Sequence, residues 1–258
     1  MSDLAAFWLG ITQGVTEFLP VSSSGHLAIL QAYLGVGSTG MLFEVAVHVA
    51  TLLAIVIYYF RRIAGLVEGV LRGQRAAWEY GGKLALATLP AVAVGLGARD
   101  FVELQFQQPL AAGFFLLLTG CALWTTRWTL PRASRSEPSW QAAFWIGCAQ
   151  AVAIMPGISR SGATVAAALA LGVVPLAAAE FSFLLGVIAI IGAAVLTIPD
   201  LDAANAELLG AIGIGSLAAL ASGVVALYLF VWLLRHQRFH LFSYYVWLLG
   251  AIVIMYYW

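Results

Sequence analysis

The chain has 258 residues, of which 62% are hydrophobic and only 9% are charged, and its mean hydropathy is +0.96. Soluble domains carry about 25% charged residues, so this composition excludes an ordinary soluble protein and predicts several membrane-spanning segments. Twelve basic and twelve acidic residues give a net charge of zero, which excludes a global basic field for nucleic acid. The partner must therefore be inferred from a local site.

Six stretches are apolar enough to cross a bilayer as a helix, which takes about 20 residues. Two further stretches, 4–35 and 140–172, are interrupted near the middle by Pro, Gly and Ser, in LPVSSSG and MPGISRSG. The first of these has no basic residue ahead of its apolar run and no small-residue cleavage pattern, so we expect it to belong to the mature fold. The six predicted spans are 41–60, 80–98, 108–128, 176–198, 207–234 and 240–258.

Charged residues alternate between the predicted loops. The loops at 61–83, near 130 and near 237 carry most of the Arg and Lys, whereas the loops that contain Asp100 and Asp202 are mainly acidic. The positive-inside rule places the basic loops in the cytoplasm and the acidic loops outside.

This orientation constrains the two interrupted stretches. Span 108–128 ends inside and span 176–198 begins inside, so stretch 140–172 must enter the membrane from the inner face and return. By the same argument, if the N-terminus also lies outside, stretch 4–35 is a hairpin that enters from the outer face.

The interrupted stretches also resemble each other. Both read Gly-x-x-Gln-x-Val, then a Pro and Ser-x-Ser-Gly, and each is followed by a lone glutamate, Glu44 or Glu180, which we expect to anchor the hairpin backbone. We predict an internal duplication within one membrane domain, 1–258, with halves of approximately 1–128 and 129–258. The predicted fold is an all-α polytopic membrane protein with six spanning helices and two re-entrant broken-helix hairpins in inverted-topology repeats.

Ionisable groups at membrane depth are costly, and each is a candidate for function. Glu17 and His26 flank the first interruption, Arg160 lies at the second, and Gln13 shares a helix face with Glu17. Helix N-termini, serine hydroxyls and a guanidinium, whose fork binds two oxygens, favour a phosphate ligand. Serines in membrane helices also join helices without further function, and His48 could serve either packing or the site.

The motifs TEFLPVSSSGH, PGISRSGAT and EFSFLL resemble those of the undecaprenyl pyrophosphate phosphatases of the BacA (bacitracin-resistance) type. The resemblance covers essentially the whole chain. It implies a bacterial inner-membrane enzyme that removes the terminal phosphate from undecaprenyl pyrophosphate, recycling the lipid carrier of cell-wall synthesis with Mg²⁺ or Ca²⁺. The residues it implies as catalytic are Glu17, Ser22, Ser23, His26, Ser159, Arg160 and Thr164.

Within this set, Glu17 is the expected metal ligand and His26 the expected general acid/base. The nucleophile stays open between Ser23, Ser22, Ser159 and water. The residues expected to bind substrate are Gln13, Gly25, Gly157, Ser161 and Gly162.

Three positions depart from the family pattern. Gln13 stands where the family usually has the first carboxylate of Glu-x-x-x-Glu, and His48 stands where a glutamine is expected. The expected proline after EFSFLL is missing, because the chain continues GVIAIIGA. Glutamine cannot act as a base and is a poorer cation ligand than glutamate.

Two rival functions stay open from the sequence. A polyprenyl-phosphate flippase or anion transporter would use the same repeats and phosphate cradle without chemistry, and a silent homologue would only bind. The expected partners are a polyprenyl pyrophosphate lipid and membrane lipids, without nucleic acid, and a homodimer is an open alternative. We expect the active site to open to the periplasmic side.

Overall fold

The computed structural model describes residues 1–36, 40–106, 108–197 and 206–258. These residues form α-helices joined by short turns, and no β-strand occurs among them beyond one isolated bridge between Arg135 and Val173. The all-α fold is therefore confirmed. The helices are α1 (Asp3–Phe18), α2 (Ser23–Tyr33), α3 (Gly40–Tyr58), α4 (Phe60–Leu71), α5 (Arg75–Gly97), α6 (Arg99–Phe106), α7 (Pro109–Thr129), α8 (Trp140–Val152), α9 (Arg160–Ala170), α10 (Pro175–Thr197), α11 (Ala206–Arg235) and α12 (Phe242–Tyr257).

Five of these helices, α5, α7, α10, α11 and α12, are long and apolar enough to span a membrane. Helix α3 makes a sixth candidate when it is taken together with α4, from which it is separated by a bend of 78°. The predicted number of six spans is thus reached if α3 and α4 count as one broken span.

Two predicted loops contain helices that the charge pattern concealed. Helix α4 lies within the basic loop 61–83, and its Ile63 and Leu66 pack against the main core while Arg72 pairs with Glu68 on its exposed side. Helix α6 similarly occupies the loop around Asp100. Apolar residues at helical spacing favour helix formation in both segments, because the charged residues of an amphipathic helix occupy only one of its faces. Asp200 and Asp202, from the other predicted acidic loop, lie outside the described residues.

The first interrupted stretch forms a helical hairpin, α1 and α2, which we call hairpin A. Helix α1 runs alongside α11 in the same direction, with Gly10 against Gly215 and Gly14 against Ser222. Helix α2 meets α12 where His26 Nε2 lies 2.7 Å from Tyr245 Oη. Hairpin A thus has a helix–turn–helix form, and its entry and exit on one face of the membrane stay a prediction.

The second interrupted stretch forms hairpin B, composed of α8 and α9. Helix α8 runs parallel to α5, with Trp140 against Gly82 and Gly147 against Ala87. Helix α9 packs on α7. Hairpin B thus has the same helix–turn–helix form, and its re-entrant path through the membrane likewise stays a prediction.

Corresponding glycines make corresponding contacts in the two hairpins. A Cβ atom added at Gly10 would lie 2.2 Å from the Gly215 oxygen, and one added at Gly147 would lie 2.3 Å from the Ala87 oxygen. Each hairpin thus packs closely on a spanning helix of the other predicted half, which supports a duplication. The inverted orientation and the boundaries of the halves, 1–128 and 129–258, stay predictions.

The two repeat-related glutamates bond to side chains, so their predicted role as anchors of the hairpin backbones is wrong for the contacts that the structure describes. Glu180 Oε1 accepts hydrogen bonds from Arg62 Nε at 2.8 Å and Tyr80 Oη at 3.1 Å. Glu44 Oε1 accepts from the Gln31 side chain at 3.0 Å. Glu180 instead joins α4, α5 and α10.

A row of four phenylalanine rings in edge-to-face contact packs beneath the tip of hairpin A. Phe18, which ends α1, meets Phe183 of α10 edge to face at 5.7 Å between centroids. Phe183 meets Phe230 at 4.9 Å, and Phe230 meets Phe239 at 5.3 Å. All four rings are fully buried, so the tip rests on rigid packing.

Replacement of Gly10 by alanine tests the packing of hairpin A. The added methyl group would meet the backbone of Gly215, which cannot move as a side chain can, so we expect Gly10→Ala to lower the free energy of unfolding by about 1–3 kcal/mol. Gly81→Ala is the control, because that exposed helical position has no atom within 4 Å of the new Cβ. Thermal unfolding in detergent should show a loss for Gly10→Ala only, and equal midpoints would contradict the close packing.

Candidate active site

The tips of the two hairpins meet through a buried ion pair. Arg160, the first residue of α9, donates a hydrogen bond from Nη2 to Glu17 Oε1 at 2.6 Å. The Glu17 side chain is 7% exposed and the Arg160 side chain 17%, so the pair is largely removed from solvent. Close by, a Cβ added at Gly162 would lie 3.1 Å from Pro20 Cβ. Residues distant in sequence are therefore brought to one place at the centre of the fold.

The second oxygen of Glu17 is shared by three other side chains. Ser23 Oγ donates to Oε2 at 2.8 Å, and Gln13 Nε2 donates to the same atom at 3.2 Å. His48 Nε2 of α3 lies 3.8 Å away. Glu17 is thus the common partner of four polar groups from both hairpins and α3.

The tip of hairpin A has an unusual backbone at Ser22. Its φ of 71° and ψ of 98° lie in a region of backbone conformation that residues with a Cβ rarely adopt. The Ser22 side chain makes no capping hydrogen bond to α2. The Ser22 carbonyl accepts a hydrogen bond from His26 Nδ1 at 2.8 Å. Such strain persists only where surrounding contacts enforce it, and it concentrates at functional sites.

Helix α7 holds the tip of hairpin B. Thr119 Oγ1 donates to the Gly157 carbonyl at 2.9 Å and accepts from the Ser159 N–H at 3.1 Å. Gly157 has a φ of 94°, which suits glycine, and a Cβ there would lie 2.3 Å from the Ala112 oxygen. Ser159 Oγ caps α9 by accepting from the Gly162 N–H at 3.1 Å.

Helix α10 positions Arg160 from behind. A Cβ added at Gly186 would lie 1.7 Å from Arg160 Nη1, so only glycine leaves room for the guanidinium in this position. Nη1 is buried and has no hydrogen-bond partner among the described residues. One turn after Arg160, Thr164 donates to the Arg160 carbonyl at 2.7 Å and contacts Ser182 of α10.

The structure brings Gln13, Glu17, Ser23 and Arg160 into direct contact, as their prediction in one site required. The other predicted residues line the two tips. Ser22 pairs with Ser24 and Ser159 pairs with Ser161, each at 3.3 Å, and Thr164, Gly25, Gly157 and Gly162 lie in the same tips.

His26 points elsewhere. Its Nδ1 bonds to the Ser22 carbonyl and its Nε2 lies 2.7 Å from Tyr245 Oη, and no contact among the described residues joins it to Glu17. Because a carbonyl oxygen only accepts, Nδ1 carries a proton. Its role as general acid/base stays a prediction.

Several neighbours of the site were not among the predicted residues. His48 was left undecided, although an ionisable group at membrane depth is itself a signal. Ser182 lies in the motif EFSFLL, which by itself assigned it no role, whereas Thr119 and Gly186 carry no local motif, because each is a single small residue within an apolar helix. The positions of Thr119 and Gly186 could only be found from the fold.

The residues around Glu17 suit a hard divalent cation. Gln13 Oε1 is buried without a hydrogen-bond partner among the described residues, and it is next to the Glu17 carboxylate. Mg²⁺ is commonly held by one or two carboxylates together with substrate phosphates, and Ca²⁺ also accepts amide oxygens. Within the described ranges no group of three or more His, Cys, Asp or Glu could hold a metal.

The family model of the bacitracin resistance protein BacA matches residues 6–252. An undecaprenyl-diphosphatase of Desulfosudis oleivorans is 40% identical, with 98% of both chains covered. Similar proteins of the same printed name occur in Carboxydothermus hydrogenoformans, at 37% identity over 99% of this chain and 97% of that one, and in Rhodopirellula baltica, at 38% over 96% and 95%. The chain therefore belongs to the bacitracin resistance protein BacA family.

Proposed function

We propose that the protein is a phosphatase that hydrolyses undecaprenyl pyrophosphate to undecaprenyl phosphate and phosphate, and so recycles the lipid carrier for cell-wall synthesis. The observation that carries this proposal is the buried contact between Glu17 and Arg160 at the junction of two serine-bearing tips. The printed names of the similar proteins favour hydrolysis over transport by the same cradle.

Arg160 has donors for a phosphate besides the one bonded to Glu17, because a guanidinium carries five N–H groups. Its Nη2 is bonded to Glu17, whereas Nη1 has no partner among the described residues. A guanidinium in a site of low dielectric stabilises the charge that develops on a transferring phosphoryl group. The serine tips and helix N-termini would hold the remaining oxygens.

Ser23 is the favoured nucleophile among the candidates that the sequence left open. Its hydroxyl is the one that donates to Glu17, at 2.8 Å, within the described part of the chain. In the proposed step the Ser23 proton passes to Glu17 Oε2 rather than to His26, whose ring nitrogens contact Ser22 and Tyr245. A bond forms from Oγ to the terminal phosphorus as the bond to the bridging oxygen breaks, and undecaprenyl phosphate leaves. Water then hydrolyses the phosphoserine and releases phosphate.

Gln13 Oε1 and Glu17 would hold Mg²⁺ or Ca²⁺, which when bound neutralises charge on the substrate oxygens. Gln13 also orients Glu17 through its own N–H group. Both functions of the amide are compatible, because its oxygen and nitrogen point to different partners.

Release of phosphate from a C15 or C55 prenyl pyrophosphate in detergent tests the proposed activity. The wild type should hydrolyse the substrate in a way that EDTA prevents, and Arg160→Ala should lower the rate by at least about 10²-fold, the scale for loss of one oxyanion donor. Arg135→Ala removes an exposed arginine outside the tips and serves as the control. No hydrolysis by the wild type, or equal rates in Arg160→Ala, would refute the proposal.

Gly186→Ala tests the position of the guanidinium while Arg160 stays present. The new methyl group must displace Nη1, and a misplaced donor of this kind can lower the rate by about 10²-fold. Gly192→Ala on the same helix is the matched control, since no atom lies within 4 Å of that Cβ. Equal rates of phosphate release in both variants would show that α10 does not set the position of Arg160.

Gln13→Glu tests how the amide is used. If Gln13 serves chiefly as a cation ligand, a second carboxylate binds Mg²⁺ or Ca²⁺ more tightly, and the variant should reach its half-maximal rate at a lower cation concentration. Titration of the cation against phosphate release measures this shift. A loss of activity at every concentration would show instead that the chain requires a neutral amide beside Glu17.

We further propose that the protein lies in the bacterial inner membrane with its site open to the periplasm, on the basis of the loop charges. In a background with Cys121→Ala and Cys148→Ala, Gln108→Cys should react with an impermeant thiol reagent added to intact cells, whereas Arg132→Cys should not. Both positions are exposed. The opposite labelling pattern would invert the orientation.

A further inference from the structure

Gln150 of α8 is a buried amide that makes no hydrogen bond. It is 3% exposed, and both its Oε1 and its Nε2 lack a partner among the described residues. A buried amide without partners destabilises a fold, so such a residue calls for an explanation. The other buried side-chain atoms of this kind in the described ranges belong to Gln13 and Arg160, which both contact Glu17.

Gln150 has the same place in hairpin B that Gln13 has in hairpin A. Each glutamine follows by three residues the glycine that packs on the backbone of a spanning helix, Gly147 or Gly10. Each also precedes by nine residues the first serine of a hydroxyl pair separated by 3.3 Å. The two amides therefore share one rotational position and one distance along the chain from their tips.

The orientation of α8 directs Gln150 into the protein. Ile146, Gly147 and Gln150 lie on its buried face, whereas Ala149 and Val152 line an apolar groove that opens outward between α7, α8 and α9. In hairpin A the equivalent face carries Gln13 to Glu17. By its position in the repeat, Gln150 thus corresponds to the glutamine that reaches Glu17 in hairpin A.

We propose that Gln150 binds the substrate by donating its amide N–H to an oxygen of one phosphoryl group, while hairpin A holds the other phosphoryl group. This inference rests on the proposed function, because a diphosphate has two phosphoryl groups for the two tips. Each tip supplies a buried glutamine, a serine pair and a helix N-terminus. The ligand satisfies the Nε2 donor of Gln150 that the protein leaves unpaired.

Gln150→Leu separates this role from a structural one. Leucine is similar in size and removes two unsatisfied polar atoms, so the thermal midpoint in detergent should stay unchanged or rise. The inhibition constant for inorganic pyrophosphate should increase by about tenfold or more, the scale of one hydrogen bond to a charged group. Thr126→Val is the control, because it removes a buried hydroxyl bonded to the Leu123 carbonyl away from the tips and should leave that constant unchanged.

Gln150→Glu provides a second test that keeps the size of the side chain and replaces the donor by a carboxylate. Gln150→Glu should weaken the binding of pyrophosphate at least as strongly as Gln150→Leu. If the leucine variant does not fold, Gln150→Glu alone tests whether Gln150 binds the substrate. An inhibition constant for pyrophosphate within about twofold of the wild-type value in either folded variant overturns the inference. A lower thermal midpoint of Gln150→Leu together with an unchanged inhibition constant overturns it too, because Gln150 would then be only structural.

The same measurements separate this inference from the proposed function. Binding of pyrophosphate can be measured without turnover, because a ligand that binds the folded wild type raises its thermal midpoint. A wild type that binds pyrophosphate through Gln150 without hydrolysing prenyl pyrophosphate would contradict only the phosphatase function. Equal rates of prenyl pyrophosphate hydrolysis by the wild type and by Gln150→Leu would contradict only the inference about Gln150.

Discussion

The ion pair between Glu17 and Arg160 is the constraint on which the rest of the site depends. Two opposite charges that are largely buried need each other, since removal of one partner leaves an uncompensated charge at a cost of several kcal/mol, about 3–5 in measured cases. Their contact requires that both hairpins end at the same depth. The serines, which are attached to the same tips, are brought together as a consequence.

The supporting helices make this irregular backbone tolerable at membrane depth. Unpaired backbone groups are costly in hydrocarbon and survive only where protein or a polar cavity meets them. In the tip of hairpin B, Thr119 bonds to the Gly157 carbonyl and to the Ser159 N–H. In hairpin A, His26 bonds to the carbonyl of the strained residue Ser22. Gly10 and Gly147 let the hairpins approach their spanning helices at backbone contact.

Much of this arrangement could be predicted from the sequence because the signals are local. Pro, Gly and Ser interrupt two apolar stretches, and a carboxylate at one interruption and an arginine at the other require a partner. Gln13, Glu17, Ser23 and Arg160 were therefore found together. Helix α4 was missed because its arginines suggested a loop, although Ile63 and Leu66 follow a helical period. Gly186 was missed because its effect depends on which helix passes behind Arg160, and that is a property of the tertiary packing alone.

The meeting of the two tips is tested most directly by a disulfide between Pro20→Cys and Gly162→Cys in a background with Cys121→Ala and Cys148→Ala. A Cβ at residue 162 lies 3.1 Å from Pro20 Cβ. Disulfides join Cβ atoms about 3.5–4.5 Å apart, so a shift of a few tenths of an ångström suffices. Mass spectrometry of the digested protein should show the 20–162 cross-link in high yield, and Pro20→Cys with Gly192→Cys should not form one. Equal, low yields for both pairs would contradict the contact between the hairpins and the site built on it.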